Sequence, residues 1–321
     1  MSTIRRSPFV MIFALLSFAF GMLPSVTFAQ QGTFVPTGSM TAARGRPTAT
    51  LLTDGRVLIT GGLQPSGYLA SAELYDPTTG TFSATGNLIA ARWGHTATLL
   101  NDGKVLVAGG EFSGTVELYD PTTGTFSATG NLITPRTFHT ATLLNNGMVL
   151  IAGGQNASNM DLASAELYDP TTGTFSATGN LITARQYATA TLLNDGTVLI
   201  AGGNNSNGDL ASAELYDPTS GTFTSTGSLD SPERYHAATL LSDGTVLVTG
   251  GIDFPTTAQL YNSNSGTFAL TGNLMARWLH TATLLSDGTV LTCGGFNGTD
   301  DLTSAELYVP GSGTFIATGS P

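Results

Sequence analysis

Arg92-Trp93-Gly94-His95-Thr96-Ala97-Thr98-Leu99-Leu100, then Asn101-Asp102-Gly103, then Val105-Leu106-Val107-Ala108-Gly109-Gly110, is the stretch that decides how this chain folds. His95 to Leu100 is rich in small and β-branched residues, as suits a strand in a crowded innermost position. Asp102-Gly103 is a hairpin turn signal, because both residues tolerate positive φ. Val105 to Ala108 is a continuous apolar run, the mark of a strand covered on both faces. A loop then leads to Glu117-Leu118-Tyr119, a third strand ended by Asp120-Pro121. Thr122-Thr123-Gly124 turns the chain into a fourth strand, Thr125 to Thr129.

The same grammar returns along the chain. Gly-Gly ends an apolar run at Gly61, Gly109, Gly153, Gly202, Gly250 and Gly294, with spacings of 48, 44, 49, 48 and 44 residues. Four short antiparallel strands repeated at this period make the blade of a β-propeller. The expected fold is therefore all-β: a six-bladed propeller with four antiparallel strands per blade. A blade hides its faces only by stacking on its neighbours, so the ring is expected to close. The composition agrees, with 41% hydrophobic residues, 10% charged residues and 40 Gly in 321. No long segment has the 3.6-residue period of a helix. Gly32 to Gly38 repeats the fourth-strand pattern ahead of the first full unit, while the last unit ends on its own fourth strand, Thr314 to Gly319. Six inner-strand sets thus face seven outer-strand candidates, and either end strand can complete the final blade.

These residues resemble the kelch repeat: an apolar run closed by Gly-Gly, a spaced Tyr, a spaced aromatic and an Arg-x-x-His lead-in. The resemblance runs from about residue 33 to residue 321. Phe82, Phe126, Phe175, Phe223, Phe268 and Phe315 stand where most kelch repeats place Trp. The resemblance implies a kelch-type propeller and two enzyme relatives by fold, galactose oxidase and the periplasmic sialic acid mutarotase. The first needs a Cys cross-linked to a Tyr. Cys293 instead fills the slot of Thr60, Ala108, Ala152, Ala201 and Thr249, a small core position.

The N-terminus reads separately. Arg5 and Arg6 precede an apolar stretch from Phe9 to Leu23, and Thr27-Phe28-Ala29 offers a cleavage site. This is the layout of a secretory signal peptide over 1–29. The propeller then occupies 30–321, with a lead-in strand at 32–40 and repeats over 41–321. The expected location is secreted, periplasmic or cell-surface, with no membrane insertion after cleavage. Losing Arg5 and Arg6 takes the net charge from −11 to −13, which argues against nucleic acid as a partner. With Cys293 alone there is no intrachain disulfide, and the core must carry stability.

The six copies differ most in the loop after Gly-Gly, on the face shared with the Arg-bearing lead-ins. Variable loops on a rigid scaffold are where binding sites sit. The candidate ligand contacts are Arg44, Arg92, Arg136, Arg185 and Arg277 at the channel mouth, and Tyr68, Phe112, Phe254 and Phe296 in or beside the loops. The arginines have a second reading. Glu73, Glu117, Glu166, Glu214 and Glu306 recur in the third strand. In the fifth copy Gln259 replaces the Glu, and Glu233 takes the Arg slot with Arg234 shifted by one. Arg and Glu vary together, which points to a pair that holds the blades. His95, His139, His236 and His280 share one slot, with Pro47 and Ala188 in the other two copies. They read as packing residues, and no metal, cofactor or catalytic residue is assigned. The functional expectation is a non-catalytic, monomeric recognition propeller for a protein or glycan. The alternatives are an enzyme acting on a small sugar at the channel mouth and a structural surface repeat protein.

Overall fold

The computed structural model describes residues 34–253 and 255–319. The expected leader at 1–29 and the candidate Phe254 lie outside them. The described residues form six four-stranded antiparallel sheets, each contiguous in sequence. In blade 2 the strands are Thr96–Leu99, Val105–Ala108, Val116–Asp120 and Thr125–Ala128. Blade 1 runs from Thr48–Leu51 to Thr81–Ala84, and blade 6 from Thr281–Leu284 to Thr314–Ala317. The last blade is completed by its own fourth strand, so each repeat is one blade of a propeller. Two loops also contain a short hairpin, Leu63–Gln64 with Gly67–Tyr68 and Asn204–Asn205 with Gly208–Asp209.

Neighbouring blades are joined by one device used repeatedly. Leu52, Leu58, Ala72, Leu74 and Leu88 of blade 1 bury against Val105, Val107 and Tyr119 of blade 2. Equivalent clusters fill the next four junctions. The buried Tyr hydroxyl meets a Thr from the preceding blade: Tyr119 with Thr85 at 2.9 Å, Tyr168 with Thr129 at 3.0 Å. The Gly-Gly pair has its reason here. Gly109 has φ 63°, and a Cβ on it would lie 2.5 Å from the Arg136 carbonyl oxygen of blade 3. Gly110 N–H donates to that same oxygen at 2.9 Å. Only glycine allows both the turn and the approach.

The expected closed ring is not what the structure shows. First strands of successive blades pack side by side from blade 1 to blade 6, but those of blades 6 and 1 do not. The bond from the second glycine to the carbonyl of the next blade's lead-in residue recurs at Gly62, Gly110, Gly154 and Gly251, to Arg, and at Gly203, to Glu233. Among the described residues none joins Gly295 to Arg44. Leu58, Leu106, Leu150, Leu199 and Leu247 are buried, whereas their equivalent Leu291 is half-buried. On the other side, Leu51 is 63% exposed, and Tyr75 alone among the six equivalent tyrosines is not fully buried. The physical reason lies in curvature. Each junction turns the chain by an angle set by its packing, and five such turns leave the two end faces unmatched.

Candidate functional site

The lead-in arginines are withdrawn from the channel mouth. Arg136 is fully buried and uses all five of its N–H donors. Nε donates to Thr134 O at 3.2 Å, Nη1 to Gly153 O at 2.6 Å and Ser164 O at 2.8 Å. Nη2 donates to Ser164 Oγ at 2.9 Å and to Glu166 Oε1 at 2.7 Å. Gly153 and Ser164 flank the variable loop, so the guanidinium clamps the loop at its base. Glu166 completes the clamp by accepting the Ile133 and Thr134 backbone N–H groups of the inter-blade link. Arg44–Glu73, Arg92–Glu117, Arg185–Glu214 and Arg277–Glu306 repeat the arrangement with buried side chains. Burial pushes the Arg92, Arg136 and Arg185 pKa values down, and the neighbouring Glu opposes it. As ligand contacts these five residues are therefore corrected: their Nη donors are occupied within the protein and their side chains are covered.

Blade 5 breaks the pattern. Gln259 accepts the Asp230 backbone N–H at 2.8 Å, as Glu does elsewhere. Glu233 sits buried in the Arg slot and accepts from Thr257 Oγ1 at 2.9 Å and Ser231 Oγ at 3.2 Å. Burial without a cation pushes the Glu233 carboxyl up to about 7. Arg234 turns outward to pair with Asp209 at 2.7 Å. Burial, and then a hydrogen bond with Asp253, pushes Asp209 up to about 6 despite Arg234.

The histidines tie each blade to the one before. Nε2 of His95 meets Thr48 Oγ1 at 3.0 Å, His139 meets Thr96 at 3.0 Å, His236 meets Thr189 at 2.9 Å and His280 meets Thr249 at 2.9 Å. Burial pushes His95 and His280 down to about 3 and His236 to about 4, and holds His139 well below the usual range. Among the described residues no three His, Cys, Asp or Glu side chains converge as a metal site. On the opposite face the Asp-Gly and Asp-Pro turns close on themselves, with Asp102 accepting Lys104 N–H at 3.0 Å and Asp120 accepting Thr122 N–H at 2.8 Å.

The mouth itself is built from a position the sequence reading passed over. It lies between the Arg-bearing and the His-bearing slots, and holds Arg46, Gly94, Phe138, Tyr187, Tyr235 and Leu279. All six have φ between 52° and 66°, in the left-handed region. That conformation is costly for Phe, Tyr and Leu, and it turns their side chains to the mouth. The rings form a collar. Trp93 meets Phe138 edge-on at 5.1 Å, Phe138 meets Tyr187 at 4.4 Å, and Tyr187 meets Tyr235 at 4.6 Å. The Arg46 guanidinium lies 5.8 Å from the Trp93 ring centre and 6.0 Å from that of Tyr235. Burial, then the Tyr235 contact, raises the Tyr187 hydroxyl pKa. The cavity holds about 640 Å³. Tyr68 stacks on Trp93 at 5.9 Å and stays 41% exposed, so it extends the collar. Phe296 packs edge-on against Trp278 at 5.2 Å, apart from the collar rings, and Phe112 stands half-buried in its loop with φ 54°. The signal that marks the collar in sequence is a slot that changes from copy to copy between an Arg slot kept in five copies and a His slot kept in four.

Comparison with known proteins places this architecture. The class is a β-propeller of four-stranded blades with clamped loops on one face. The kelch motif model matches residues 135–181, the lead-in and four strands of blade 3. With that unit repeated through all six blades, the chain is a kelch-repeat propeller. A fungal alcohol oxidase of the AA5 family, solved in complex with copper, superposes with a TM-score of 0.71 at 19% identity, covering 87% of this chain and 65% of that one. The chain therefore spans just under two thirds of that structure, and the likeness is one of fold. No curated protein matches.

Proposed function

We propose that this chain is a non-catalytic recognition propeller that binds a protein or glycan on its loop face. The aromatic collar carries the reading. Rings held half-buried around a concave mouth, with one arginine at hand, are the make-up of a recognition site. The clamp supports it, because it frees the loops to vary without loosening the blades. The leader expected at 1–29 would export the protein, and mass spectrometry of the exported N-terminus tests that part. A glycan and protein array screened with residues 30–321 tests the binding. Trp93→Ala and Tyr187→Ala should then lose binding with unchanged melting. Binding that survives both variants would move the site away from the collar. One observation favours a second reading, an enzyme acting on a small sugar: Asp209 and Glu233 are pushed toward neutrality just behind the collar. Sugar turnover abolished by Asp209→Asn, with binding retained, would replace recognition by catalysis.

A further inference from the structure

Positive charge is scarce in this chain, and its placement is informative. Of the nine Lys and Arg after Arg6, five are the buried clamp arginines. Arg56 and Lys104 pair with Asp54 and Asp102 in the turns of the opposite face. Arg234 is held by Asp209. That leaves Arg46. It is exposed, and among the described residues it has no carboxylate partner and donates no hydrogen bond.

Rings place its guanidinium instead. The collar runs from Trp93 through Phe138 and Tyr187 to Tyr235, one ring from each of blades 2 to 5. Arg46 comes from blade 1 and lies 5.8 Å from the first ring centre and 6.0 Å from the last. A cation thus stands in the gap of an arc of π faces, with no anion to hold it. Arg234 also lies 5.6 Å from the Tyr235 ring centre, but Asp209 fixes it there. The loops around the mouth carry Glu111, Asp161, Asp209, Asp253, Asp300 and Asp301, and no Lys or Arg. A concave site of π faces set among charges of one sign draws cations and repels anions.

We propose that the collar is a receptor for an arginine side chain of a partner polypeptide, and that Arg46 fills it in the free protein as a stand-in for that side chain. The inference rests on the reading of the collar as the recognition site. The occupant already in place defines the chemistry: a guanidinium, presented from a polypeptide turn, between Trp93 and Tyr235. Arg46 is free to leave, because it gives up cation–π contacts and no hydrogen bond. Two guanidiniums in one mouth repel, so entry of one displaces the other. The cavity of about 640 Å³ has room for the incoming side chain once Arg46 swings out.

Arg46→Gly empties the mouth. The slot has φ 52° and already holds Gly94 in the second copy, so the melting curve of this variant should match the parent's. The probes are N-acetyl-arginine amide, its uncharged isostere N-acetyl-citrulline amide, N-acetyl-glutamate amide and glucosamine, titrated by ligand-detected NMR. The arginine probe should bind Arg46→Gly about ten-fold tighter than the parent, the factor expected when the empty mouth is populated about a tenth of the time. The citrulline probe should bind neither protein, and adding Trp93→Ala to Arg46→Gly should abolish arginine binding. Equal affinity of the arginine probe for parent and variant, or no binding to either, would overturn the proposal. A glutamate probe that binds the parent and is lost in Arg46→Gly would make Arg46 an anion receptor, and would overturn it too. Glucosamine binding that matches arginine would assign the mouth to a cationic glycan, with the same consequence. The recognition reading is judged separately: it falls if array ligands bind and neither Trp93→Ala nor Tyr187→Ala weakens them.

Discussion

Arg136 shows how one side chain can decide between structure and recognition. A guanidinium has five donors in a fixed planar fork, and here two carbonyls, a hydroxyl and a carboxylate take four while Thr134 O takes the fifth. Nothing is left for a ligand. Removing the side chain strands Glu166 as a buried carboxylate and frees the loop base. Arg136→Ala should therefore destabilise by about 3–5 kcal/mol, the range for breaking a buried pair. Arg136→Lys should recover little of it, because an ammonium cannot span the same fork. Thermal melts of the two variants check this, and a melt of Arg136→Ala matching the parent would return the arginine to the ligand. The covariation of Glu233 with Gln259 made the Arg–Glu pair, and its partial burial, legible from the sequence. What the sequence did not give was the loop clamp, since a repeated charge pair does not name the Gly153 and Ser164 carbonyls that the same guanidinium holds.

At the scale of strands and loops, the repeat was readable wherever chemistry forces a residue type. Asp-Gly, Gly-Gly and the apolar run each have one physical reading, and the four strands fall on them. The collar escaped because its left-handed backbone is hidden under Phe138, Tyr187, Tyr235 and Leu279. Only Gly94, the residue that favours positive φ, betrays that slot. The inter-blade histidine link gives this scale its prediction. Each histidine is neutral in the fold, with its pKa pushed below the ordinary 6.5, to about 3 at His95 and His280 and about 4 at His236. For a depressed pKa the unfolded chain takes up the proton first. Stability is full above pH 6.5 and falls as the pH drops from there toward 3. Melting temperature should decline across that window. His139→Gln, which keeps a hydrogen-bonding side chain and removes the titration, should flatten the decline. A variant with the parent's full slope would show that the imidazoles do not set it.

The whole molecule is governed by how many junctions it completes. Blade count followed from the Gly-Gly spacing, but closure did not, because the turn per junction is a sum of side-chain volumes that no single position reveals. The one trace of the open seam in the sequence was seven outer-strand candidates for six inner sets. An arc of stacked units holds its middle from both sides and its ends from one. Equivalent residues must then differ in weight by position. Leu106, 1% exposed in blade 2, lies against blade 3. Leu291 has the same strand, the same register and the same predecessor in the turn, but no blade beyond it. Leu106→Ala removes packed methyls and leaves a cavity, so it should cost about 2–5 kcal/mol. Leu291→Ala removes atoms already in contact with water, and should cost about 1 kcal/mol. The comparison uses one substitution at one register, so differences in helix or strand preference cancel. Melting curves of the two variants beside the parent measure it directly. Equal losses would mean that the outer face of blade 6 is covered in solution.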